Sequence, residues 1–112
     1  MTSIQKTIYE SEQISKEYAK AEAKKTYIQE FKKSKKAILM KQFQLKGFTT
    51  IAAQEREAMA HPEYLELLKA EQAVVELATK YKYNLEINKQ KIMLHQTKQA
   101  DLRTEMQLLN AQ

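Results

Sequence analysis

The chain has 112 residues with a net charge of +5, one glycine, one proline and no cysteine. So little glycine and proline argues against a multi-stranded sheet, and the absence of cysteine excludes disulfides, thiolate metal sites and a cysteine nucleophile. The 43% apolar content is too high for a disordered chain, and a cysteine-free composition fits a reducing, cytoplasmic setting.

The first predicted element is a long helix over residues 11–46, with residues 1–10 as a flexible or helical arm. Ser11 followed by Glu12 fits an N-cap with a first-turn acid, while Ile4, Ile8 and Tyr9 allow the helix to extend upstream. Stepping by three and four places Ala21, Ile28, Phe31, Ile38 and Leu45 on one stripe, with Lys24, Lys35 and Gln42 between them and Tyr27 and Leu39 widening it. Core packing is the expected role for Phe31. Gly47 is suited to the left-handed residue that closes the helix, and Phe48 to the hydrophobic contact that accompanies it.

The charge is uneven along the chain. Residues 1–46 carry 11 lysines and 5 glutamates, a net of +6; residues 47–112 carry 8 basic and 9 acidic residues, a net of −1. Within the first helix, Lys24, Lys25, Lys32, Lys33, Lys35, Lys36 and Lys41 are the candidate contacts to nucleic acid or to an acidic partner. Lys25, Lys32 and Lys36 fall along one helical stripe, where a phosphate would relieve like-charge repulsion. The alternative is a solubilising face. Lysine rather than arginine favours phosphate tracking over base reading, and Tyr27, Phe31 and Phe43 interleave with the lysines as candidate stacking platforms.

A short helix is expected over residues 50–60, capped by Thr49 or Thr50. Glu55, Arg56 and Glu57 on it form a charge cluster, either a recognition patch or a solvated face. His61 is disfavoured as helical because it precedes Pro62; it reads as a turn residue or as the cap of the next helix.

The second long helix is expected over residues 63–110, with Pro62 in its first turn. Its seam reads Tyr64, Leu67, Glu71, Val74, Ala78, Tyr81, Leu85, Asn88, Ile92, His95, Gln99, Leu102, Met106 and Leu109. Ten of these fourteen are apolar, the heptad-like pattern of a coiled coil or hairpin sustained over a helix of roughly 70 Å. Tyr81, Leu85, Asn88, Ile92, His95, Leu102 and Met106 are therefore candidates for a self-association or partner seam, with Asn88 able to fix register. The far end, including Leu108 and Leu109, is expected to outrun the first helix, and a homodimer or a partner protein would cover it.

These elements define an all-α protein: long helix, short connecting helix, long helix, a single antiparallel hairpin with coiled-coil character. The start MTSIQKTIYE lacks an apolar signal-peptide region, and no apolar run approaches the roughly 20 residues that span a bilayer. No Walker loop, G-x-S-x-G, H-E-x-x-H or convergent histidine set is present, so no enzyme, metal, cofactor or small-molecule substrate is expected.

Residues 48–68, FTTIAAQEREAMAHPEYLELL, resemble a family of small helical proteins encoded by bacteriophages. The likeness lies in Ala52, Ala53, Glu55, Arg56 and Glu57, then Pro62, Glu63 and Tyr64 ahead of a long helix, and extends over residues 27–105. It implies a phage or prophage origin and action in a bacterial cell. It assigns no residue a role. The expected function is binding to nucleic acid or to a complex that processes it, as a recombination or replication accessory. The alternatives are an inhibitor of a host defence complex, such as an anti-CRISPR protein, and a structural or assembly rod.

Overall fold

The computed structural model describes residues 1–111, and these hold three α-helices and no strand: α1 Ser3–Leu45, α2 Ile51–Ala60 and α3 Pro62–Asn110. Two compact units divide the contacts. The first comprises residues 1–18 and 79–112; the second comprises residues 19–78.

In the first unit, α1 begins eight residues before Ser11. Thr2 supplies the cap: its Oγ1 accepts from the Gln5 N–H at 3.2 Å, and Gln5 Oε1 accepts from the Thr2 N–H at 2.8 Å. This reciprocal arrangement satisfies two backbone donors that the helix start leaves open. Ser11 is not the cap. It lies inside the helix and donates its hydroxyl to the Thr7 carbonyl at 2.9 Å. The inner rows of this unit are Ile4, Thr7, Ser11 and Ile14 on α1, and Leu85, Asn88, Ile92 and His95 on α3. Asn88 is buried among them, and every residue from Gln96 to Ala111 is exposed.

In the second unit the core is formed where all three helices meet. Leu39 and Ala58 are wholly buried and pack with Tyr64, with Met40 and Leu68 against them. Ala21, Ile28, Val74 and Ala78 are also buried. Ion pairs from α1 residues 32 and 35 to α3 residues 71 and 63 run in opposite order along the two helices, so the packing is antiparallel.

The bends have identifiable causes. Gly47 sits at φ 108°, the Phe48 N–H donates to the Phe43 carbonyl at 3.1 Å, and the Gly47 N–H donates to the Gln44 carbonyl at 3.1 Å. These are the two bonds of a Schellman closure, and the Phe43 and Phe48 rings complete it edge to face at 5.6 Å. Thr50 then caps α2 by accepting from the Ala53 N–H at 3.2 Å. Gln54, buried, donates to the Phe48 carbonyl at 2.8 Å and fixes the loop from below. His61 alone separates α2 from α3: its N–H closes α2 on the Ala58 carbonyl, and its Nδ1 accepts from the Glu63 N–H at 3.1 Å to open α3.

The core face of α1 differs from the expected stripe. The buried row is Ala21, Ile28 and Leu39; Phe31 and Ile38 are 42% and 51% exposed, and Tyr27 and Leu45 more so. The sequence offers two apolar rows about 100° apart on the same helix. Leu39, not Ile38, meets the Ala58–Tyr64 cluster, and the turns nearer the N-terminus follow that choice.

Candidate functional site

The candidate lysines fall into two groups once α1 is placed. Lys25, Lys32, Lys35 and Lys36 lie on or beside the inner row and are half-buried. Each has a carboxylate. Lys32 Nζ lies 3.0 Å from Glu71 Oε1 and 3.3 Å from Oε2, Lys36 Nζ lies 2.6 Å from Glu55 Oε1, Lys35 pairs with Glu63, and Lys25 pairs with Glu22 at 3.1 Å. The hydrogen bond to Glu55 holds the Lys36 ammonium above its ordinary titration range, and the hydrogen bond from Lys35 holds the Glu63 carboxyl below its own. Lys24, Lys33 and Lys41 face solvent; Lys33 makes an i,i+3 pair with Glu30, a contact of little energetic weight.

Three glutamates from α2 and α3 therefore fold back onto the lysine-rich helix. The second unit holds 11 basic and 8 acidic residues, a net of +3, against +7 for residues 24–46 read alone. Counting charge along the chain misses this because the neutralising residues are 19 to 39 positions away. Glu55, placed in a charge cluster on α2, faces Lys36 rather than solvent alone.

The aromatic residues separate in the same way. Phe43 serves the end of α1, edge-on to Phe48 and to His61, with the Lys46 ammonium 5.1 Å from its ring centroid. Tyr27 and Phe31 stay outside and stack on each other, with centroids 6.0 Å apart and planes within 5°. Tyr27, Phe31, Ile38 and Leu45, spaced by four, seven and seven, thus form a second apolar row on α1 that the core does not use.

The candidate seam on α3 is used unevenly. Asn88 is buried, and Tyr81, Leu85, Ile92 and His95 are half-buried; Leu102 and Met106 are 52% and 63% exposed. Among the described residues no group of three His, Asp or Glu side chains converges as a metal site, and no helix is long and apolar enough to cross a membrane.

No protein-family model, curated protein or solved structure matches this chain.

Proposed function

We propose that the chain is a non-catalytic binding protein that docks on another protein through the outer row of α1. One observation carries this reading: Tyr27, Phe31, Ile38 and Leu45 repeat at helical spacing and remain 42–82% exposed although the same helix packs its other face in the core. Large apolar side chains that recur along one exposed side of a helix mark a contact surface, and this spacing suits an amphipathic helix lying alongside. The likeness of residues 48–68 to small phage-encoded helical proteins points to a partner in the bacterial cytoplasm. Complexes that process nucleic acid, or defend the host against it, are the class to search. An inhibitor and an assembly rod would both use such a row, the first on a host protein and the second on a further copy of this chain.

Direct binding of nucleic acid is the second reading. It is favoured by the exposed Tyr27–Phe31 stack with Lys24 one turn before it and Lys41 farther along, both outside the inner ion pairs. Base–aromatic stacking contributes about 1–3 kcal/mol per base, and lysine–phosphate contacts add a salt-dependent term.

The test is a Phe31→Asp/Ile38→Asp chain, checked for helicity by circular dichroism, beside the wild type. Stoichiometric capture of a host protein by the wild type and its loss in the variant supports the docking row. Capture of the same protein by both overturns it. Salt-sensitive binding of single-stranded DNA, lost in the same variant, transfers the row to the second reading. A dimer seen by sedimentation and lost in the variant assigns it to a further copy.

A further inference from the structure

We propose that Lys91, His95 and Lys98 of α3, facing Thr2 and Ser3 at the start of α1, form a binding site for a phosphate-class oxyanion. They border a notch of about 400 Å³ within the first unit. Spacings of four and three residues put the three basic side chains on one face of α3. Among the described residues no carboxylate lines the notch, and the rest of the lining is Ile4, Thr7 and Leu94.

The contrast with the second unit gives this weight. There, the lysines beside the inner row at 32, 35 and 36 each meet a glutamate from another helix. In the notch, the two lysines stand four residues before and three residues after the imidazole and make no ion pair among the described residues. An oxyanion would supply the missing negative charge, and lysine meets phosphate as a compact point charge with three donors. The hydroxyls are placed to help. Thr2 Oγ1 accepts from the Gln5 N–H, which leaves its own proton free to donate, and Ser3 carries a second hydroxyl at the rim. Thr7 does not contribute a donor, since its hydroxyl already donates to the Ser3 carbonyl at 3.1 Å. The notch is larger than one phosphate, so it fits a diphosphate or a phosphate within a longer chain. The inference is independent of the α1 docking row, which lies in the other unit.

The experiment titrates the full chain with inorganic pyrophosphate at low ionic strength and follows the His95 ring protons by NMR. A saturable shift is expected, weakened roughly tenfold or more by Lys91→Ala/Lys98→Ala. The control Lys82→Ala/Lys89→Ala removes the same charge outside the notch and should keep the affinity within about twofold if the site is local rather than a diffuse field. Displacement of pyrophosphate by a short single-stranded DNA would identify nucleic-acid phosphates as the source; persistence of the pyrophosphate signal would identify a free anion. A shift that never saturates, or equal weakening in both double variants, overturns the site.

Discussion

Lys32 and Glu71, 39 residues apart in sequence, meet through both carboxylate oxygens, with the two side chains only 24% and 20% exposed. The pair belongs to the packing between α1 and α3. A double-mutant cycle with Lys32→Ala and Glu71→Ala, read by urea unfolding, should return a coupling of about 1 kcal/mol, the upper end for such pairs. A coupling near zero would mean that the two charges merely share a surface.

Leu39→Ala should destabilise the protein by about 2–5 kcal/mol, because Leu39 is wholly buried against Ala58 and Tyr64. Ile38→Ala, one position earlier and half exposed, should stay within about 0.5 kcal/mol. Unfolding midpoints for the two variants decide which row of α1 is the core; equal losses would place the core boundary elsewhere.

Ile38 and Leu39 also show what is legible in the sequence. Three helices in the order long, short, long follow from helix-forming composition and from punctuation by Gly47, Thr50 and Pro62. The α3 row from Tyr64 to His95 is readable from its sustained steps of three and four after Pro62, although Leu65, Val75, Leu77, Ile87 and Leu94 offer apolar positions off it that stay exposed. On α1, Phe31, Ile38 and Leu45 compete with Ile28 and Leu39, and periodicity alone cannot choose between faces. The choice depends on Ala58 and Tyr64, which no local window contains. Lysines beside the inner row resemble ligand contacts in the sequence because Glu55, Glu63 and Glu71 are distant along the chain. The Thr2–Gln5 capping pair is legible in principle as a T-x-x-Q pattern, but Ser11 with Glu12 offers a competing start.

The ion pairs set a pH window. Glu63 is held below its ordinary value of 4.5, so its contribution is complete above that value and is lost as pH falls through the lower, folded one. Lys36 is held above its ordinary value of 10.5, so its contribution is complete below that value and is lost as pH rises through the higher, folded one. Thermal melts should therefore show a plateau between about 4.5 and 10.5 for these groups, with Glu63→Gln flattening the acid edge and Lys36→Met the alkaline edge. Unchanged edges in both variants would assign the pH dependence to other residues.

Gly47→Ala tests the closure of α1. A Cβ at this position would meet nothing within 4 Å, so the folded-state penalty is that of a positive φ, about 1–2 kcal/mol, partly offset by the smaller entropy of the unfolded alanine chain. Gly47→Asn should recover part of it, since asparagine tolerates left-handed backbone better than alanine. Chemical denaturation separates the two; identical midpoints for both variants would argue against a left-handed backbone here.

His61 is a joint of one residue, finishing α2 with its backbone and starting α3 with its imidazole. Such a joint makes this chain tolerant of spelling changes and intolerant of changes in count. One residue added beside it would turn α3 by about 100°, carrying Tyr64 and Glu71 away from Leu39 and Lys32 together. Descendants of this sequence should therefore drift freely in what they write around the bend while keeping its number of letters fixed.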